Sequence, residues 1–218
     1  MDILYYVGGG SYHGNRELLY SLRSIEKHCK DVDKVWVVGN RPHFLKDVEY
    51  LWVEDKGEWY QNAVTKTVAA IEAGISKKFL LMNDDFYMMA DFTCEGYPAY
   101  HRGDIPEKPN NEYQKIVCNT RKLLEEKGLP FKHYGVHCPI VIDADKYMSL
   151  SEYFGKPYSI RCLYGNHFCD GVRVKDTKWG DIRESETKCF SSLPWCHDVL
   201  EELKGMFPGP SRWEGSDV

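Results

Sequence analysis

The sequence predicts an α/β fold: a mostly parallel central sheet with helices on both faces, followed by a loop-rich second half. Three observations carry this. Short apolar runs of strand length alternate with segments whose apolar residues recur at helical spacing. The runs end in glycine, asparagine or acidic residues, which punctuate strands. No internal repeat, low-complexity tract or linker interrupts the order, so alternating strands and amphipathic helices read as one sheet covered on both sides.

The elements follow in order. Residues 2–7 (Asp-Ile-Leu-Tyr-Tyr-Val) form a first strand, ended by Gly8-Gly9-Gly10. Leu18, Leu22, Ile25 and Cys29 then fall on one helical stripe. Residues 34–38 make a second strand closed by Gly39-Asn40-Arg41-Pro42, and 48–53 a third. Val64, Val68, Ile71 and Ile75 mark a second helix, with Gly74 near its end. Residues 78–82 are a fourth strand, followed at once by Asn83-Asp84-Asp85. Residues 93–110 are loop-like. A helix follows, with Tyr113, Ile116, Thr120, Leu123 and Leu124 on one face and Gly128 as its C-cap. Ile140-Val141-Ile142 is a short strand, and Asp143 caps the next helix. The pattern gives no order for 155–192. A last helix runs from about Pro194 to Phe207, before an extended tail.

The chain has 218 residues, 43% of them hydrophobic, enough for a core and for one domain over 1–218. No apolar run approaches the ~20 residues of a membrane helix. The start, Met1-Asp2-Ile3, lacks a basic flank and a small-residue cleavage site, and reads as a mature strand. Eight cysteines without a metal-ribbon spacing fit free thiols in a cytoplasmic protein. Cys162, Cys169, Cys189 and Cys196 form two equally spaced pairs, for which free, bridged and zinc-bound states all stay open. A net charge of −5 argues against nucleic-acid binding by the whole surface, but not by a local basic groove.

Chemistry is expected at the strand ends, because open α/β sheets bind ligands outside the carboxyl ends of their strands. Gly8-Gly9-Gly10, Gly39-Asn40-Arg41, Glu54-Asp55 and Asn83-Asp84-Asp85 converge there. Two adjacent carboxylates leaving a strand suit a hard divalent cation and a diphosphate; a turn capped by one of them is the alternative. Gly8 and Gly9 suit a tight turn first, and as the alternative let a nucleotide approach the backbone. Asn62 and Lys66, one helical turn apart, can aim an amide and an ammonium at phosphate, or simply be a solvated face. Arg16 and Arg23 share a helix face that can approach the glycine turn. His137 is a loop histidine before a strand, and Arg161, His167 and Asp170 form a polar run in which Asp170 can act as a general base. His13 stands where a dinucleotide fingerprint needs glycine, and there is no P-loop, nucleophile elbow, zincin helix or kinase set. Those enzyme classes lose support.

Several segments carry a resemblance. Tyr20-Ser21-Leu22-Arg23-Ser24-Ile25-Glu26-Lys27 resembles the opening helix of Stealth-type sugar-phosphate transferases, and Val35 to Pro42 the strand and turn after it. Phe79-Leu80-Leu81-Met82-Asn83-Asp84-Asp85-Phe86 is similar to that family's Asn-Asp-Asp-Phe motif. His137-Cys138-Pro139 resembles its His-x-Pro step, and Ile160-Arg161 its later arginine segment. More broadly, strand–Asp-Asp after a Rossmann-like half is similar to GT-A glycosyltransferases. The resemblance is closest over 2–90 and looser over 133–165. It departs at Val7-Gly8-Gly9, where Stealth proteins carry an aspartate. The short length and the tail Phe207-Pro208-Gly209-Pro210-Ser211-Arg212 resemble small phage-encoded glycosyltransferases, some of which modify DNA bases.

The resemblance implies a GT-A-type transferase. Residues 1–90 would hold a nucleoside diphosphate sugar, such as a UDP-sugar, and 91–218 the acceptor, a glycan or a modified DNA base. It implies Mn²⁺ or Mg²⁺ on Asp84, Asp85 and His137, donor contacts from Gly8, Gly9, Arg41, Asn62, Lys66 and Asp84, catalytic roles for Asp85 and Asp170, and acceptor contacts from Arg161, His167 and Arg212. Sugar-phosphate transfer and a non-catalytic binding module are the alternatives. Of the many aromatic residues, Tyr5, Trp36, Trp52 and Phe79 are expected in the core. Tyr12, Trp59, Tyr60, Tyr87, Tyr100, Tyr134 and Tyr164 are expected at rims, free to stack on a sugar or base.

Overall fold

The computed structural model describes residues 1–9, 11, 14–176, 185–191 and 197–215. Gly10, Tyr12, His13, Cys196 and the expected start of the last helix at Pro194 lie outside the described residues. The first half reads β1 (Asp2–Val7), α1 (Arg16–His28), β2 (Val35–Gly39), β3 (Glu49–Leu51), α2 (Trp59–Glu72) and β4 (Lys78–Asn83). The second half adds β5 (Phe86–Met88), β6 (Tyr100–His101), α3 (Glu112–Glu126), β7 (Ile140–Asp143) and α4 (Ala144–Met148). It then gives α5 (Ile160–Phe168), β8 (Val172–Arg173), β9 (Cys189–Ser191) and α6 (His197–Met206).

Local chemistry explains the helix limits. Glu17 lies in the first turn of α1 and Lys27 and His28 in its last, matching the helix dipole. The Asn111 side chain accepts from Gln114 N at the start of α3, and Gly128 takes the left-handed φ of +66° beyond its end. Asp143 caps α4 by accepting from the backbone of Asp145 and Lys146. Ser159 caps α5, a helix in the stretch whose order the sequence left open.

The sheet order is β3-β2-β1-β4-β7. Four strands are parallel, and β7 runs antiparallel to β4 with Leu81 opposite Ile140. Alternate residues go to opposite faces. Ile3, Tyr5, Val37 and Met82 pack on Leu18, Leu22 and Ile25 of α1. Leu4, Trp36, Val38 and Leu81 pack under α2, α3 and α5. A third, smaller core joins α6 to α1, β5 and β9 through Tyr20, Tyr87, Phe190 and Leu203.

Several expectations are corrected. The third strand stops at Leu51, so Trp52 is not core but 63% exposed. Tyr87, Tyr134 and Tyr164 are buried by the second half and cannot stack on a ligand. The 93–110 stretch contains β6, paired in parallel with β8. The tail folds back: Trp213 and Glu214 are buried, Glu214 bridges to Leu45, and Arg23 grips its carboxylate at 2.7 Å. Arg23 therefore serves the tail, not the glycine turn. No helix among the described residues is long and apolar enough to cross a membrane.

Candidate functional site

Parallel pairing puts the carboxyl ends of β1, β2, β3 and β4 on one rim. Val7 is level with Gly39, and Tyr6 with Asn83. Because β7 is antiparallel, its amino end faces that rim. His137, three residues before β7, therefore lies on the chain that enters the sheet from that rim.

On one side of the rim is an open cleft of about 460 Å³, lined by Gly8, Gly9, Asn40, Arg41, Tyr50 and Trp52. Arg41 stacks on Tyr50 at 5.2 Å and keeps its exposed guanidinium at the cleft. Gly39 has a φ of +112°, and a side chain there would strike the Val7 carbonyl and the end of Lys66. Lys66 is buried at 3% exposure beneath the rim. Its ammonium donates to Val7 O at 3.0 Å and pairs with Asp55 at 2.6 Å, which ties β1 to the segment after β3. Asn62 spends its amide on the loop before α2: Oδ1 accepts from Lys56 N and Gly57 N, and Nδ2 donates to Gly57 O. Trp59, 52% exposed, lies against Tyr113 with ring centroids 5.6 Å apart.

At the centre, Asp84 and Asp85 form the turn between β4 and β5. Burial, then the charges of Asp85 and Glu17, push the Asp84 carboxyl up to about 7. No cation pairs with Asp84 among the described residues. Asp85 Oδ2 accepts from Ser191 Oγ at 2.6 Å. Tyr6 stands close enough that its hydroxyl is pushed up to about 12 by burial and by Asp84 and Asp85, against the pull of Arg161. Glu17 accepts from Ser11 Oγ at 2.8 Å.

Beyond Asp84 lies a paired network. His137 Nδ1 meets Asp176 at 2.9 Å, and Arg102 Nη1 meets the same carboxylate at 3.1 Å. Arg102 Nη2 also reaches His133 Nε2 at 2.7 Å. Burial and that guanidinium push His133 down to about 4. Burial works to raise Asp176, but His137 and Arg102 outweigh it and hold the carboxyl below its usual range. Arg161 donates to the carbonyls of Tyr134 and Cys138, fixing the chain on either side of His137. A second cleft, about 430 Å³, opens here, with Arg102, Arg173, Lys175, Asp176 and Glu186 in its wall.

The remaining site residues spread out. His137 does not join Asp84 and Asp85 in a three-ligand cluster: among the described residues, that spacing is met by Cys29, Asp31 and Cys94 alone. His167 donates from Nδ1 to Leu163 O on α5, about 9 Å along the helix from Arg161. Asp170 is exposed, two residues past the end of α5. Arg212 pairs with Glu26 at 3.3 Å, about 13 Å along α1 from Glu17, far from the rim. Of the other paired-cysteine candidates, Cys162, Cys169 and Cys189 are free thiols. The sequence reading missed Glu17, Tyr6, Arg102, Asp176 and Ser191. Glu17 carried a signal, as an acid in the first turn of a rim helix. Asp176 carried none, 39 residues from the histidine it holds.

No model of a protein family matches the chain. The N-acetylglucosamine-1-phosphotransferase subunits alpha/beta of Mus musculus are 29% identical to it over 110 residues, 44% of this chain. The chain spans 9% of that protein's length. Similar solved structures include the galactosyltransferase LgtC in complex with donor and acceptor sugar analogues, with a TM-score of 0.47 at 11% identity. That match covers 97% of this chain and 98% of LgtC. The glycosyltransferase GlyE of Streptococcus pneumoniae TIGR4 gives a TM-score of 0.37 at 10% identity, over 88% of this chain and 44% of GlyE.

Proposed function

We propose that the chain is a glycosyltransferase that uses a divalent cation to move a sugar from a nucleoside diphosphate sugar to an acceptor hydroxyl. The carrying observation is the central carboxylate group. Asp84, Asp85 and Glu17 crowd together at a strand-end rim, and Asp84 is raised by its burial and by the charges of Asp85 and Glu17. Hard oxygen ligands in that state fit Mn²⁺ or Mg²⁺, with Asp84 and Asp85 as ligands. When bound, such an ion offsets the charge that builds on the departing diphosphate.

The chain's own groups supply the rest of the reading. Trp52 and Tyr50 offer aromatic faces to a nucleobase, and Arg41 and the Gly8-Gly9 backbone border the phosphates. Lys66 and Asn62 hold the rim rather than reach out of it. In the acceptor half, His137 with Nδ1 held by Asp176 presents Nε2 to a hydroxyl, which favours it over exposed Asp170 as the base. Arg161 steadies that loop. Arg102, Arg173 and Lys175 form the local basic patch that a negatively charged acceptor requires, such as a charged glycan or the backbone around a DNA base. A cytoplasmic setting and a split between a donor half at 1–90 and an acceptor half at 91–218 belong to the same reading.

Sugar-phosphate transfer is the second reading, favoured by the mouse phosphotransferase similarity and by Asn83-Asp84-Asp85-Phe86. One assay separates the two. The protein is incubated with UDP-sugars and Mn²⁺ or Mg²⁺, and the released nucleotide is identified. Nucleoside diphosphate is expected; nucleoside monophosphate selects the second reading. Turnover that survives both Asp84→Ala and Asp85→Ala sinks the metal assignment, and binding without turnover under any metal leaves a binding module.

A further inference from the structure

A second reactive cluster lies away from the rim, where α1 ends. Cys29 directly follows α1, and Cys94 lies in the loop after β5; they are 4% and 0% exposed. Their Sγ atoms are 3.2 Å apart. The backbone holds them there. Phe92 N–H donates to His28 O at 3.0 Å, and Cys29 and Phe92 form a parallel bridge. One carboxylate clamps both segments: Asp31 Oδ1 accepts from Cys94 N at 2.8 Å and from the Cys29 thiol at 3.2 Å.

The spacing separates two fates of such a cluster. Two thiolates on a tetrahedral zinc, each ~2.3 Å from the metal, sit roughly 3.8 Å apart. A disulfide is about 2.05 Å long. These sulfurs are already closer than a metal would hold them, and a bond needs them to close by about another 1.2 Å.

We propose that Cys29 and Cys94 are a reversible thiol–disulfide pair closed by a peroxide. The Cys29 sulfur attacks one peroxide oxygen and breaks the O–O bond, becoming a sulfenic acid, while the departing oxygen takes the Cys29 proton and leaves as water. The second sulfur then displaces the sulfenic oxygen, which leaves as a second water. Two electrons pass from sulfur to the peroxide, and the S–S bond forms. Hydrogen peroxide is small enough to reach a buried pair that bulkier disulfides reach only by opening the loop. The hydrogen bond with Cys29, burial and Asp31 keep the Cys94 thiol protonated, so the pair rests in the reduced state until an oxidant arrives. Closure stitches the end of α1 to the chain just downstream of Asp84 and Asp85. The proposal does not depend on the transferase reading.

The test uses the full chain, titrated with hydrogen peroxide, quenched with catalase, alkylated under denaturing conditions and mapped without reduction. A peptide linking Cys29 to Cys94 is expected, with Cys118, Cys138, Cys162 and Cys189 recovered alkylated. The thermal midpoint should rise by roughly 5–10 °C, fall back with dithiothreitol, and not respond to peroxide in Cys94→Ser. Recovery of both thiols alkylated while other cysteines oxidise overturns the proposal, as does linkage of either to a different cysteine. Stoichiometric zinc in the wild type that is lost in Cys94→Ser overturns it in favour of a metal site. Should the variant not fold, the wild-type map alone decides.

Discussion

The two sides of the rim treat charge in opposite ways. Around Asp84, burial and the charges of Asp85 and Glu17 push the carboxyl up, and no ion pair reaches Asp84 among the described residues. Around His137, the nearest charges are paired: Asp176 holds His137 and Arg102, and Arg102 reaches on to His133. A folded chain keeps like charges close in a shielded site only at a cost, because each makes it harder for the other to ionise. The contrast teaches a division of tasks. In the proposed reading the first side takes a cation, while the second holds a ring in one orientation.

Asp84→Asn breaks the contrast most directly. Donor turnover should fall at least ~10³-fold, since the variant removes a metal ligand, and steady-state release of nucleoside diphosphate measures it. The same variant separates two opposed pH effects. Asp84 binds its proton more tightly folded than unfolded, so its contribution is full below about 4 and is lost as pH rises through about 7, up to ~4 kcal/mol. His133 is lowered to about 4, so its contribution is lost as pH falls from its ordinary range through that value. The wild type, with both slopes present, should be flatter between pH 4 and 7 than Asp84→Asn, whose stability should climb with pH. Urea unfolding across that range reads the difference, and parallel curves would show that Asp84 is not shifted. Mn²⁺ should stabilise the wild type more at pH 8 than at pH 5, and should leave the variant unmoved.

Asp176→Ala sharpens the other side. Freed of its partner, His137 should lose orientation, lowering kcat by roughly 10- to 100-fold with little change in donor KM. An equal rise in donor KM would place Asp176 in the donor site instead. Trp52→Ala should raise donor KM about 10-fold, the worth of one stacked base. It should leave the unfolding midpoint in place, because the ring is exposed. The smallest effect belongs to Arg212→Ala. Its exposed pair with Glu26 predicts under ~0.5 kcal/mol of stability and less than about twofold in turnover.

Legibility followed range along the chain. The stripes at Leu18, Leu22 and Ile25 and the runs at 2–7 and 78–82 placed α1, β1 and β4, because side-chain periodicity is a local property. Asn83-Asp84-Asp85 was visible for the same reason, being contiguous. Aromatic residues were not legible. Tyr134 and Trp52 look alike in composition, yet one is sealed under the chain and the other stands at the cleft, one residue past a strand that ended early. Lys66 read as a phosphate contact or a solvated helix residue and is the buried tie between Asp55 and the Val7 carbonyl.

By itself, the sequence determined the main strands and helices of the first half and the helix over α3, which of their faces are apolar, and which polar residues follow the strand ends. Tertiary structure alone decided that β7 runs antiparallel, so that the chain carrying His137 enters the sheet from the rim. It also chose Asp176 as that histidine's partner and set Glu17 against Asp84. The physical reason is that periodicity reports how a segment meets its own neighbours, whereas strand direction, burial and ion pairing are set by whatever distant chain packs against it.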